Sequence, residues 1–150
     1  MNLAFSLVPF GNLTQMMPSV LPYLRKSEFW TRGRATLDEI VAFLYSGRMQ
    51  LWVAYAENPD GHGATVYGHV ITEIKRYPSA TALVCQYCAG ESDHMRYVEE
   101  TAFAVLERYA RDAGCDVIEF HGRPGWRASA RKHGFTTETV VYEKYIGEAP

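Results

Sequence analysis

The stretch Thr81-Ala82-Leu83-Val84-Cys85-Gln86-Tyr87-Cys88-Ala89, followed by Gly90-Glu91-Ser92-Asp93, decides how this chain is read. Nine residues without Gly or Pro, rich in types that suit a pleated surface, have the length of a strand. Gly90 through Asp93 ends it and supplies a helix cap. Met95, Val98, Ala102, Val105, Leu106 and Tyr109 then recur at helical spacing, which predicts one amphipathic helix running to Ala113, stopped at Gly114. A second strand is expected over Asp116–His121, then Gly122-Arg123-Pro124-Gly125-Trp126, a short helical piece and Gly134-Phe135. Strand, turn, helix, strand implies two parallel strands joined by a right-handed crossover.

Such a unit turns unpaired backbone amides and the positive end of a helix dipole toward the turn after its first strand. Small residues there let an anion approach the backbone, so the turn at Gly90 is a candidate phosphate cradle. The competing reading is ordinary turn chemistry, since one glycine after a strand is common.

The chain is 150 residues long, the size of one domain, and a single domain over 1–150 is expected. Its formal charge of −2, with 15 Lys and Arg against 17 Asp and Glu and no basic run, argues against a nucleic-acid partner. No stretch is long and apolar enough to suggest a membrane partner, and no basic region precedes the apolar residues of the N-terminus, so no signal peptide is expected. Three cysteines argue against a disulfide framework and for a reducing, cytoplasmic setting.

Outward from the deciding stretch, Leu3, Phe5 and Leu7 alternate as a strand ending at Pro9. Leu13, Met16, Met17, Val20, Leu21 and Leu24 share a helical face, with Pro18 and Pro22 predicting either a helix start near Pro18 or a kink. Thr36-Leu37-Asp38-Glu39 is a capping box for a helix with Leu37, Ile40, Val41 and Leu44 on its buried stripe, ended by Gly47. Phe29, Trp30, Arg32 and Arg34 connect the two helices, either as packing or as cover over a groove. Gln50–Ala56 and Thr65–Tyr77 read as a hairpin about the turn 58–63, and a turn at Tyr77–Ala80 extends it into a meander with the Thr81 strand. Thr137–Ile146 alternates as a final strand, leaving Gly147–Pro150 as a tail.

Element order, with Gly90–Ser92 and Gly134-Phe135, resembles the GNAT superfamily of acyl-CoA-dependent N-acyltransferases. The resemblance implies an α/β fold with a central, mixed, mostly antiparallel sheet splayed between its fourth and fifth strands and helices on both faces. It implies acetyl-CoA as cosubstrate in that wedge, held by the backbone of Cys88, Ala89, Gly90, Glu91 and Ser92 with help from Arg96, and a small-molecule or protein amine as acceptor. Departures are visible. Tyr87 stands where the family's phosphate loop carries a basic or amide residue, with Gln86 one position off, and one glycine remains in the loop. Glu91 and Asp93 place negative charge beside it. The tyrosine that protonates the departing thiolate in many members corresponds to Ala130, and an upstream asparagine to Arg123. Gly122–Trp126 with Gly134-Phe135 is similar to a GNAT-like branch found in tailed bacteriophages.

The chemistry of such a fold needs a base within reach of the wedge. Val117, Glu119 and His121 share one strand face, so Glu119 or His121 can serve, or be a polar residue at a sheet edge. Tyr87 or Tyr142 can replace the missing acid. Arg123 can grip a phosphate or carboxylate, and Trp126 can pack on the sheet or on a ligand. Cys85 and Cys88, at redox-like spacing but in a strand, are expected on opposite faces as structural thiols; no zinc-type ligand set and no metal site are expected. Phe103 falls off the helix stripe, as a partner contact or a lone exposed aromatic. The acceptor site would be built by Glu28–Ala35, Glu57–Ala64 and the last strand. Two functions follow: an acetyl-CoA-dependent acetyltransferase acting on an amine, or a catalytically degenerate binding or assembly protein of the same fold, with a second copy or a phage or host protein as partner.

Overall fold

The computed structural model describes residues 2–150. Five strands form one sheet in chain order: β1 (Ala4–Leu7), β2 (Met49–Glu57), β3 (Ala64–Arg76), β4 (Thr81–Gly90) and β5 (Val117–Phe120). The first three pairings are antiparallel and the β4–β5 pairing is parallel. The meander and the crossover read from the sequence are therefore both present. The helices are α1 (Leu13–Trp30), α2 (Leu37–Tyr45), α3 (Ser92–Met95), α4 (Glu99–Asp112) and α5 (Arg127–Lys132).

Helices α1 and α2 cover one face of the sheet, and α4 covers the other. Val20, Leu24, Ile40 and Leu44 meet Leu51, Val53 and Ile71 in the first layer. Val98, Ala102 and Leu106 meet Phe5, Trp52, Val70, Leu83 and Cys85 in the second. Trp52 stacks on Phe5 and donates its indole N–H to Thr72 Oγ1 at 3.0 Å, so a large ring is buried without a stranded polar atom.

Helix α1 neither starts at Pro18 nor stops there; it is helical from Leu13 to Trp30 with both prolines inside. Both lie on the exposed side, opposite Val20, Leu24 and Ser27, so water can bond the carbonyls that lack an amide donor. The N-cap half of the expected capping box forms: Thr36 Oγ1 accepts from the Glu39 amide at 3.2 Å, while the Glu39 carboxylate accepts from the Thr36 hydroxyl at 3.1 Å.

Two expectations fail. The helix expected to run unbroken from the Gly90 turn to Ala113 is interrupted at Arg96–Val98, where short-range bonds from Tyr97 N–H to His94 and from Val98 N–H to Met95 tighten the chain. The tightening drops Met95 onto the glycines of β3 and β4 and buries Val98 completely. The strand expected over Thr137–Ile146 is absent. No backbone hydrogen bond joins residues 136–150 to the other described residues. Side chains hold this segment instead, on the α1–α2 connection: Glu143 pairs with Arg32 and Arg34, and Tyr145 donates to the Arg32 carbonyl at 2.7 Å. Alternation in the sequence marked a strand-like segment but carried no information about its partner.

Candidate functional site

The parallel ladder between β4 and β5 is short. It pairs Ala82 to Cys85 with Val117 to Phe120 and closes with the His121 amide donating to the Cys85 carbonyl at 3.1 Å. Beyond that point the strands part, and among the described residues Gln86–Gly90 keeps β3 as its one ladder partner. Register against β3 steps from Thr72–Cys85 to Ile71–Tyr87, which leaves Gln86 as the extra residue of a bulge. The Glu91 amide bonds the Tyr67 carbonyl at 2.8 Å. By strand alternation, Ala89 faces β3 while Cys88 and Gly90 turn their amides to the open side.

The bulge overturns one expectation. Cys85 and Cys88 do not point to opposite faces; both join the layer against α4, because Gln86 shifts the alternation by one. They are protonated thiols: burial pushes Cys85 up to about 12 and Cys88 up to about 11, with Arg123 pulling Cys88 back slightly. Phe103 is corrected likewise. Its ring lies 4.6 Å from that of His133 and 5.3 Å from that of Phe135, with Phe120 edge-on, so it helps clamp the α5 segment under β5.

At the Gly90 turn a Cβ would lie 2.8 Å from Met95 Sδ and from the Tyr67 carbonyl oxygen, so only glycine fits. The Glu91 carboxylate is turned toward α1, where it lies 3.3 Å from the Tyr23 hydroxyl that also bonds the Val66 carbonyl. Burial and then the nearby Glu91 charge raise Tyr23. Ser92 and Asp93 are exposed at the start of α3, whose first amides have no helical partner. With four residues, α3 carries little dipole. The longer α4 opens on Glu99 and Glu100, and Glu99 is already engaged by Ser129 and by His133 at 3.0 Å. Arg96 folds over the Tyr97 ring, 4.9 Å from its centroid.

Across the splay, Glu119 and His121 share the face covered elsewhere by α1 and α2. Glu119 Oε2 accepts from the Tyr77 hydroxyl at 3.1 Å and lies 3.7 Å from His121 Nε2, which is more than half exposed. Register places Glu73, Val84 and Glu119 in one row, so two carboxylates flank Val84 about 10 Å apart. Glu73 accepts from Arg48 at 3.0 Å and from Gln86 at 3.4 Å. Tyr87 is half-buried nearby; burial, then Glu73, raises its hydroxyl above the usual range. Arg123 stacks on the Trp30 ring at 4.4 Å, bringing the end of α1 and the loop after β5 together beside Cys88. Trp126 packs edge-on against Phe120, and Gly122 fits between the two rings.

Of the sequence candidates, Glu119 and His121 come together, Cys88 through Ser92 line the splayed half and its turn, and Arg123 reaches the mouth. Tyr142 is 90% exposed on the C-terminal segment, and Ala130, in α5, has no proton to give. Missed by sequence reading were Glu73, Tyr77 and the buried pair Ser27 Oγ–His69 Nε2 at 2.9 Å. Only the polar residue within an apolar strand run hinted at Glu73 and His69, and nothing pairs Ser27 with His69 before the fold does. Among the described residues no group of three or more His, Cys, Asp or Glu side chains gathers as metal ligands, and no helix is long and apolar enough to cross a membrane.

No protein-family model matches the chain, and no curated protein matches it in sequence. Solved structures do match in shape. The ribosomal-protein-alanine N-acetyltransferase from Brucella melitensis biovar Abortus 2308 superposes with a TM-score of 0.67 at 14% identity, covering 97% of this chain and 99% of that one. Glucosamine-6-phosphate N-acetyltransferase from Arabidopsis thaliana gives 0.65 at 10% identity, over 98% and 100%. AAC(6')-Iy in complex with the bisubstrate analogue CoA-S-monomethyl-acetylneamine gives 0.67 at 13%, over 97% and 99%. The fold is thus that of GNAT N-acetyltransferases: a mixed, mostly antiparallel sheet with helices on both faces, splayed between its fourth and fifth strands.

Proposed function

We propose that this chain is an acyltransferase that moves an acetyl group from acetyl-CoA to an amine. The observation that carries this reading is the splay itself, which leaves the Cys88 and Gly90 amides free along an open strand edge and opens beside the Glu119–His121 pair. The residues fit an acyl-CoA in its extended part: an amide-bearing arm can pair with the free edge of β4 as an added strand would. Ser92 and Arg96 would meet the diphosphate, with the Asp93 carboxylate opposing it, and Arg123, supported by Trp126 under the same loop, a terminal phosphate or the acceptor's acidic group.

The amine nitrogen attacks the thioester carbonyl carbon, the C–S bond breaks, and the nitrogen must give up a proton. The Glu119–His121 pair takes it: the exposed imidazole faces the acceptor and the carboxylate stabilises the imidazolium. An amide of the splayed edge can bond the oxygen on which charge develops. Tyr87, kept protonated by burial, returns a proton to the thiolate.

A second reading has its own support. The Glu91 amide is spent on Tyr67, Met95 sits on Gly68 and Gly90, and acids flank a four-residue helix, which suits a cytoplasmic binding or assembly factor of this fold, encoded by a tailed phage. Titration calorimetry with acetyl-CoA separates the two. The enzyme reading expects micromolar binding; no heat at about 1 mM leaves the second reading alone. Where binding is seen, thiol release with a panel of amines is expected to fall about 10²- to 10⁴-fold in Glu119→Gln or His121→Asn. Undiminished turnover in both variants removes the pair as base.

A further inference from the structure

We propose that Arg32 and Arg34 form a carboxylate-binding site, filled in this structure by the chain's own Glu143 and open to the carboxylate of an acceptor amine when residues 136–150 lift away. Arg32 Nε donates to Glu143 Oε1, and Arg34 Nη1 lies 2.8 Å from Oε2, so two guanidiniums divide the oxygens of one carboxylate. The Tyr145 hydroxyl accepts from Arg34 Nη1 at 2.9 Å, and its ring centre lies 5.7 Å from each guanidinium carbon. Residues 136–150 make no backbone hydrogen bond to the other described residues, and Glu143 and Tyr145 carry the side-chain ones. The segment is therefore held as a tethered ligand is held, through one carboxylate and one ring.

The α1–α2 connection builds this receptor from its own residues. Thr31, buried after α1, accepts from the Ala35 amide at 3.3 Å and lies 3.0 Å from the Ala35 carbonyl, which closes the loop on itself. Inside the loop Arg32 has φ 54° and Gly33 φ 82°. Among the described residues Arg32 alone enters the left-handed region without being glycine, a conformation that gathers at ligand clamps. Arg34 is fixed across the turn by donating from Nη1 to the Arg32 carbonyl at 3.0 Å. The acid nearest in the chain does not compete, because Glu28 is engaged by the Leu37 amide at the start of α2. Trp30, two residues before Arg32, carries Arg123 over its ring at the mouth of the splay, so the arginines stand beside that mouth. That the external carboxylate belongs to an acceptor rests on the acetyl-transfer reading; that the arginines bind one does not. A tethered carboxylate acts at an effective concentration on the order of millimolar, which a free one must exceed to displace it.

Limited proteolysis of the full chain reads the site without acetyl-CoA. Chymotrypsin can cut after Tyr145 once that ring leaves the two guanidiniums, at a rate that follows the lifted population. The double variant Arg32→Gln with Arg34→Gln is expected to be cut there about fivefold faster than wild type, with the far-ultraviolet spectrum unchanged. Glutarate at about 50 mM is expected to speed cleavage of the wild type about twofold over sodium chloride of equal ionic strength, and to leave the double variant's rate alone. Equal rates for the two proteins, or glutarate acting no better than sodium chloride, overturns the site. β-Alanine and β-alaninamide then present one amine with and without a carboxylate. Their kcat/KM ratio is expected to rise about fivefold in Glu143→Gln and to fall about fivefold in Arg34→Gln, through KM rather than kcat. Turnover with the same ratio in all three proteins overturns the assignment of the acceptor's carboxylate to the arginines. Absence of turnover tells against acetyl transfer instead, and the cleavage rates still decide the arginine site.

Discussion

Between Thr81 and Cys85, β4 has a hydrogen-bonded neighbour on each side; between Gln86 and Gly90 it has one. Both halves are apolar, and both pack helices on their faces. What differs is the edge. In the first half Leu83 and Val84 are fully buried and every ladder position is spent on structure. In the second half the bulge at Gln86 rotates the strand, the β5 chain leaves through Gly122, and two amides are left without a strand partner. The lesson is that a site can be made from an otherwise ordinary strand by withdrawing its neighbour, at little cost to the core on either face.

The sharpest way to break that contrast is to compare the halves by stability. Leu83→Ala, in the fully paired half, is expected to cost about 2 to 5 kcal/mol, because a fully buried side chain leaves a cavity between β4 and α4. Tyr87→Phe, in the splayed half, is expected to leave the urea midpoint nearly unchanged and to act on turnover instead. Equal losses of stability from the two variants would show that the second half is core as well.

The next effect is a pH dependence seated under the splayed half. His69 pairs in register with Ala89, faces α1, and is wholly buried, with Nδ1 lacking a partner among the described residues. Burial lowers it from 6.5 to about 4. The native ring is therefore neutral while the unfolded ring takes up a proton below about 6.5, so the unfolded state binds more protons in that window. Stability present above pH 6.5 is lost as pH falls toward 4, by about 2 to 3 kcal/mol. A proton on the ring would also add a second N–H with no acceptor. Chemical denaturation across that range, wild type against His69→Gln, measures it; an identical pH slope in the two proteins would remove His69 as the cause.

Much of the paired architecture was legible because it rests on local signals. The capping box at Thr36, the apolar runs of β2, β3 and β4, and Gly114 after α4 each name their element without tertiary help. Of the two expectations at the prolines of α1, a start near Pro18 did not hold, because a proline on the exposed side of a helix can be passed, and spacing alone did not say which side they occupy. The bulge was invisible, since no glycine or proline marks Gln86, and with it went the faces of Cys85 and Cys88. Glu119 and His121 could be placed together from the two-residue period of one strand. Ser27 and His69 could not, being on elements 42 residues apart that only the packed fold brings together. At Thr137–Ile146 the alternation was real, but pairing is a property of two strands and the sequence shows one.

At the Gly90 turn, Gly90→Ala is expected to cost about 1 to 3 kcal/mol, as overpacking does. The new Cβ would meet both the flexible end of Met95 and the fixed carbonyl of Tyr67. Met95→Ala in the same chain should therefore recover part of the loss and not all of it. Complete recovery, read from urea midpoints, would mean that the turn is closed by a movable side chain rather than by backbone, and that the splayed half is more adaptable than its neighbour.

The smallest expected effect compares the halves through their own thiols. Cys85 ends the paired half and Cys88 lies in the splayed half, both facing α4. Burial raises both, Cys85 to about 12 and Cys88 to about 11, and only Cys88 has a guanidinium, that of Arg123, opposing the rise. Timed alkylation with iodoacetamide at about pH 8, followed by peptide mass analysis, is expected to label Cys88 faster than Cys85, and both far more slowly than an ordinary exposed thiol. Arg123→Gln should slow Cys88 further, since the guanidinium pulls its thiol down, and should leave Cys85 as it was. Acetyl-CoA lying along the free edge of β4 should protect Cys88 and spare Cys85. Equal labelling rates for the two, unmoved by Arg123→Gln, would mean that β5 closes over Cys88 in solution and that the two halves of β4 do not differ in the way their hydrogen bonds say they do.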